Sequence, residues 1–180
     1  MKEKQKNIIV SGFGGQGILF LGTILSQAAM IEGKNTTWLP SYGAEMRGGA
    51  ASCFVVISDN SIDSPIFDEA NLGIFLSKQA MLKFEDMIKN NGLIIADSSK
   101  TGENKKRQNI KYLFKPFNDL IIKGNKKLLL NVVVLGAVIK KTKILMKDSV
   151  IKALKLVSKM KKAELINLNL ESFEYGYSLL

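Results

Sequence analysis

Apolar residues in this chain fall into short runs broken by glycine, asparagine and lysine, and their spacing sets out strands alternating with helices. The first run, Ile8-Ile9-Val10, is continuous rather than alternating and marks a buried strand over residues 7–11. The next, from Ile18 to Met30, reads as a largely buried helix within residues 17–32. Strands are then predicted over 35–39, 51–58 and 72–76, a helix over 78–89, and strands over 93–96 and 110–114. Helices over 131–140, 147–161 and 164–175 complete the pattern. This alternation predicts a three-layer α/β/α fold with a Rossmann-like glycine turn after the first strand. The sheet is expected to be mixed but mostly parallel, because 51–58 and 72–76 are joined without a helix. No internal repeat or linker interrupts the chain, so residues 1–180 are expected to form a single domain.

Nine of the fifteen glycines lie between Gly12 and Gly49, seven of them in two clusters. The first is Gly12-Phe13-Gly14-Gly15-Gln16-Gly17, between the first strand and the first helix. There the unpaired N–H groups and positive dipole end of the helix face the loop, a setting for phosphate or another anion. Gly12, Gly14 and Gly17 also have the G-x-G-x-x-G spacing of dinucleotide sites. Such sites carry an acidic residue at the end of the second strand, whereas this one reads Trp38-Leu39-Pro40. A tight packing turn without a ligand remains open beside the nucleotide reading.

The second cluster, Ser41-Tyr42-Gly43-Ala44-Glu45-Met46-Arg47-Gly48-Gly49, is expected to be a loop, with Pro40 stopping the strand before it. Of the 26 basic residues only Arg47 and Arg107 are arginine. The planar fork of Arg47 can hold a carboxylate, phosphate or carbonyl at two points, which lysine cannot do. An internal lock between Arg47 and Glu45 or backbone, shaping a subunit interface, is the alternative. Tyr42 offers a flat face and a hydroxyl, though a buried tyrosine with a satisfied hydroxyl would look the same. Cys53 is expected to be a small buried hydrophobe. Asp97-Ser98-Ser99, at the end of a predicted strand, is expected to cap the following segment rather than hold a ligand. Residues 60–65 have the turn chemistry of a surface loop.

Composition narrows the chemistry. The chain has no histidine, hence no imidazole base, no Ser-His-Asp triad and no histidine-bound zinc, and neither a catalytic residue nor a metal site is expected. With 46% apolar residues among 180, it can bury a core without disulfides, and its one cysteine fits a reducing cytoplasm. The first six residues include four charged ones and glycines soon interrupt the apolar run, so no signal segment is expected. The longest apolar stretch, Ile18 to Ile31, contains Gly22, Thr23, Ser26 and Gln27 and falls short of the ~20 residues a bilayer requires. A net charge of +10 raises nucleic-acid binding. The lysines, however, are spread along helices, including Lys78, Lys83 and Lys89 on one predicted helix, without an aromatic-bearing strand or a helix-turn-helix.

The two glycine motifs, in this order and spacing, resemble the gamma subunit of 2-oxoacid:ferredoxin oxidoreductases, most nearly the 2-oxoglutarate type. Subunits for pyruvate, ketoisovalerate and indolepyruvate resemble one another here. The likeness continues through Asp97-Ser98-Ser99, Asn131 with Leu135-Gly136-Ala137, and residues 169–177, and covers essentially the whole chain. It implies a cytoplasmic complex that decarboxylates a 2-oxoacid on thiamine diphosphate, passes electrons through iron–sulfur clusters to ferredoxin and transfers the acyl group to coenzyme A. Thiamine diphosphate, magnesium and the clusters are then expected on alpha, beta and ferredoxin-like delta subunits, since one cysteine cannot hold a cluster. This chain would be a non-catalytic subunit aiding coenzyme A binding and assembly. The residues expected to face that ligand are Gly12, Gly14, Gly15, Gln16, Gly17, Tyr42, Glu45, Arg47 and Gly48. Positive charge would also favour acidic ferredoxin or anionic coenzyme A. A stand-alone NAD(P)-binding oxidoreductase and a basic nucleic-acid-binding module are the alternatives, to be told apart by independent turnover and by salt-dependent retention on nucleic acid.

Overall fold

The computed structural model describes residues 5–42, 50–158 and 163–180. Six strands form one sheet: β1 (Gln5–Phe13), β2 (Asn35–Tyr42), β3 (Ala50–Ser58), β4 (Ala70–Phe75), β5 (Ile88–Asp97) and β6 (Lys111–Lys115), in the order β2-β3-β1-β4-β5-β6. The β1, β4, β5 and β6 strands pair in parallel, while β3 is antiparallel to both β1 and β2. Five strands therefore share one direction and β3 alone opposes them, giving the expected mixed, mostly parallel α/β sheet. The expected reason needs correction: β3 and β4 are not neighbours but flank β1 on opposite sides.

Alternation along the strands places Ile8 and Val10 on one face and Ile9 on the other. The first face is covered by α1 (Ile18–Ile31), α5 (Leu130–Thr142), α6 (Lys147–Val157) and α7 (Ala163–Ser178). The α5 helix is buried almost all round, from Val132 to Ile139, which is why its apolar residues run unbroken. The second face holds a smaller core around Phe75, Met81, Phe84 and Ile94, closed by the short α2 (Lys78–Phe84). Close approach is built in at Gly22 of α1, where a Cβ would lie 2.4 Å from Cys53 Sγ and 2.7 Å from Trp38 Nε1.

Three expectations about the elements fail. The helix expected to reach Lys89 ends at Phe84, and a single 3-10 turn (Glu85–Met87) leads into β5, so Lys89 lies in a strand. Ile88 pairs with Ala70 across a bulge and is buried, and Arg107 donates to the carbonyls of Glu85, Asp86 and Ile88, fixing the turn. Pro40 does not stop β2, which continues to Tyr42. The strand lies at the sheet edge, where a residue without an N–H is tolerated. The short α3 (Ser98–Thr101) and α4 (Phe117–Lys123) were not expected; α4 starts directly after Pro116 and buries Phe117 and Ile121. The helix expected to end at Lys161 is seen as α6 to Val157, with 159–162 outside the described residues. No helix among the described residues is long and apolar enough to cross a membrane.

Candidate functional site

The β1 strand ends at Phe13, and the chain turns through Gly14-Gly15-Gln16-Gly17 into α1. Gln16 N–H donates to Phe13 O at 3.2 Å and closes the turn. The Gln16 side chain ties it to the neighbouring strand: Oε1 accepts the Phe13 N–H at 2.6 Å, and Nε2 donates to Leu76 O at 3.2 Å just past β4. Gly15 and Gly17 have φ of +91° and +72°, a left-handed backbone that favours glycine. Gly12 is required by space instead, since a Cβ there would lie 2.4 Å from Gln16 Oε1 and 2.8 Å from Ile18 Cδ1. At Gly17 a Cβ would meet Asn131 Nδ2 at 2.3 Å, the atom that donates to Gly17 O at 3.2 Å.

The α1 helix starts with no side-chain cap and no acidic residue in its first turn, and the same is true of α5. The bond from Asn131 to Gly17 joins the two starts, so two positive dipole ends border one turn beside the exposed Gly14 and Gly15. Topology adds to this. The helix after β1 covers one face of the sheet and the helix after β4 covers the other, so the connections part at the C-terminal ends of adjacent strands. That divergence is where open α/β sheets hold ligands.

The register brings the second motif to the same edge. Tyr42, placed by its backbone at the end of β2, pairs with Ala51, which pairs with Gly12; Ala50 pairs with Phe13. The chain thus leaves the sheet at Tyr42, two strand spacings or about 10 Å from β1, and re-enters it at Ala50, one spacing or about 5 Å away, in the rows of Gly12 and Phe13. Glu45, Arg47 and Gly48 lie outside the described residues.

The sheet order also bears on nucleotide binding. In a dinucleotide unit the first two strands are neighbours and the second ends in a carboxylate. Here β3 separates β1 from β2, and β2 ends in Ser41-Tyr42.

Other singled-out residues have structural partners. Asp97 is buried; its Oδ1 accepts from Ser99 Oγ at 2.6 Å and from the Asn118 N–H at 3.3 Å, joining α3 to α4, while Oδ2 has no partner among the described residues. Arg107, to which the sequence assigned no role, is the lock of the 3-10 turn and also meets Asn90 and Asn109. The rarity of arginine that drew attention to Arg47 applied equally to it. Cys53 is fully buried as expected, and burial pushes its thiol up to about 12, partly offset by hydrogen bonds from Trp38 and Gly22. Because the folded value is raised above the unfolded one near 9.0, its contribution to stability is complete below that pH and is lost as pH rises toward 12. The native protein should resist thiol alkylation at pH 8, and Cys53→Ala should flatten the loss of stability measured by denaturant titration above pH 9.

A glycine turn at a topological switch point, bordered by two uncapped helix starts, places the chain among open-sheet α/β proteins. More particularly, the chain belongs to the pyruvate ferredoxin/flavodoxin oxidoreductase family, whose pattern matches residues 7–179. The resemblance read from its motifs is borne out. It is 38% identical over 178 residues to the 2-oxoglutarate synthase subunit KorC of Methanocaldococcus jannaschii, covering 97% of this chain and 94% of that one. It is also 43% identical over 90 residues to the ketoisovalerate oxidoreductase subunit VorA of Methanothermobacter thermautotrophicus, covering 50% of this chain and 19% of that much longer relative. Among solved structures, the gamma subunit of a keto/oxoacid ferredoxin oxidoreductase from Geobacter sulfurreducens matches with a TM-score of 0.82 at 28% identity, over 98% of this chain and 96% of that one. The 2-oxoglutarate:ferredoxin oxidoreductase of Magnetococcus marinus, with 2-oxoglutarate, coenzyme A and succinyl-CoA bound, shares the fold with a TM-score of 0.88 at 22% identity, over 99% of this chain and 31% of that one.

Proposed function

We propose that this chain is the gamma subunit of a cytoplasmic 2-oxoacid:ferredoxin oxidoreductase, one domain over residues 1–180, in a complex that acts on 2-oxoglutarate. The near full-length likeness to KorC supports the choice of acid. The single observation that carries a ligand role is the register that anchors both ends of the second motif in the rows of Gly12 and Phe13. On this reading Gly12, Gly14, Gly15, Gln16 and Gly17 shape the turn, Gly14 and Gly15 admit phosphate groups of coenzyme A to backbone amides, and Tyr42, Glu45, Arg47 and Gly48 complete the site.

The chain's own residues bind and position; they do not supply the reacting groups. One cysteine does not furnish the thiolates of an iron–sulfur cluster, and no histidine is present as a base. Thiamine diphosphate, magnesium and the clusters belong to alpha, beta and delta subunits, which release carbon dioxide from the oxoacid, send two electrons to ferredoxin and pass the acyl group to the coenzyme A sulfur.

The test is reconstitution. The isolated chain should show no turnover, and adding it to the other subunits should yield coenzyme A-dependent ferredoxin reduction, fastest with 2-oxoglutarate in a screen of oxoacids. Faster turnover of ketoisovalerate or pyruvate would refute the acid assigned; turnover by the chain alone would refute the subunit role. In that assay Arg47→Lys keeps charge but loses the fork and should raise KM for coenzyme A by about tenfold, while Lys152→Gln on the exposed side of α6 leaves it unchanged. An unchanged KM for Arg47→Lys would remove that residue from the site.

A further inference from the structure

The sheet has a second end, and a cavity of about 1140 Å³ lies there. Six residues of β1 separate Lys6 at its rim from Gly12, about 20 Å at ~3.3 Å per residue, so it is a different place from the glycine turn. Its floor is apolar: Leu72 and Leu93 pair side by side on β4 and β5, and Ile57 and Ile144 flank them. Leu113 of the edge strand β6 lies on the same face and also lines it, while the rings of Tyr112 and Phe114 belong to the core on the other face.

The rim is basic. Lys6, Lys34, Lys105, Lys111, Lys141 and Lys143 face two carboxylates, Asp59 and Glu103. Lys34 is paired with Asp59 at 2.5 Å. Among the described residues Lys105, Lys111, Lys141 and Lys143 have no carboxylate partner, and all four are exposed. They come from separate parts of the chain: the segment after α3, the start of β6, and the end of α5. Like charges gathered at one cavity repel, and its low-dielectric walls focus their field on whatever anion enters. An apolar floor beneath that field selects an anion with an apolar part rather than a bare inorganic ion.

We propose that this cavity is a second ligand site, for a phosphorylated organic molecule with a flat ring. Phosphate groups meet Lys105, Lys111, Lys141 and Lys143, and the ring lies against Leu72, Leu93 and Leu113. The site is independent of the glycine turn and of the function proposed for it.

ATP and inorganic tripolyphosphate serve as probes, titrated into the native assembly isolated through this chain. ATP should bind more tightly than tripolyphosphate, and Lys105→Gln/Lys111→Gln/Lys141→Gln should weaken ATP by at least about tenfold through loss of charge-assisted bonds. A matched triple, Lys100→Gln/Lys152→Gln/Lys155→Gln, removes the same charge from exposed positions elsewhere and should leave affinity unchanged. Lys105→Gln alone, outside any helix or strand, should show part of the loss with no change in melting temperature. Equal affinity in both triples would overturn the proposal, as would absence of ATP binding to the unaltered assembly. Binding abolished by Gly12→Ala but not by the cavity triple would assign the anion to the glycine turn instead. A hexaglutamate peptide that binds the cavity more tightly than ATP would make it a dock for an acidic polypeptide and equally overturn the small-anion assignment.

Discussion

Gly176→Ala should destabilise the protein by about 3 kcal/mol or more, the upper end of overpacking costs, and lower its melting temperature by roughly 6–12 °C. A Cβ at Gly176 would lie 1.8 Å from Val133 O, and one at Gly136 would lie 2.2 Å from Phe173 O and 2.6 Å from Tyr177 N. The obstructing atoms are backbone, so no side chain can rotate out of the way and α5 and α7 must separate. The crossing is reinforced beside the two glycines, where Leu129 N–H at the start of α5 donates to Ser172 Oγ of α7 at 2.9 Å. Displacing α5 would also move Asn131 from Gly17, carrying the fault to the glycine turn. Thermal melting of Gly176→Ala and Gly136→Ala checks this. A shift below about 2 °C in both would show that the helices have room the structure does not show.

That crossing also shows what the sequence discloses and what it withholds. The strand-turn-helix order around Gly12–Gly17 was legible because local chemistry dictates it: a continuous apolar run, glycines, then another apolar run. Gly136 and Gly176 stood out only through family resemblance, since nothing nearby in sequence tells that two helices forty residues apart will touch there. The same applies to Arg107, whose role depends on the carbonyls of a turn some twenty residues earlier. Pro40 misled for a related reason, because its effect depends on whether the strand is central or at an edge, and the sheet order is a long-range property. The end of α2 was hidden likewise: Ile88 fits a helix by propensity, and burial and pairing with Ala70 draw it into β5.

The candidate site divides along the same line. Gly12, Gly15 and Gly17 each have a geometric requirement visible in the structure, while sequence spacing alone left nucleotide, anion and empty-turn readings open. Gln16, grouped with them as a ligand contact, directs both ends of its amide to backbone atoms and acts as the pin between β1 and β4. The antiparallel β3 beside β1, which separates this sheet from a dinucleotide fold, follows from a hairpin with β2 whose connection carries the second motif. The same hairpin thus sets the sheet order and brings Tyr42 and Ala50 to the rows of Gly12 and Phe13.

Gly12→Ala should separate function from folding. The atoms its Cβ would strike most closely are Gln16 Oε1 at 2.4 Å and Ile18 Cδ1 at 2.8 Å, both ends of side chains that can move. The expected loss of stability is therefore modest, about 1–3 kcal/mol, comprising strain and the two Gln16 bonds to Phe13 and Leu76. Freed from those bonds, the Gln16 side chain would turn toward the exposed Gly14 and Gly15, where the anion is proposed to lie. Coenzyme A-dependent turnover of the reconstituted complex should then fall about a hundredfold, as a misplaced positioning group can cause. Gly12→Ala/Gln16→Ala provides the discriminating comparison, because removing the displaced amide relieves the clash without restoring the pin between strands. If blockage is the cause, the double variant recovers most of the turnover while its melting temperature stays low. If turnover and melting temperature instead fall and recover together, the turn supports the fold alone and the ligand role assigned to it is wrong.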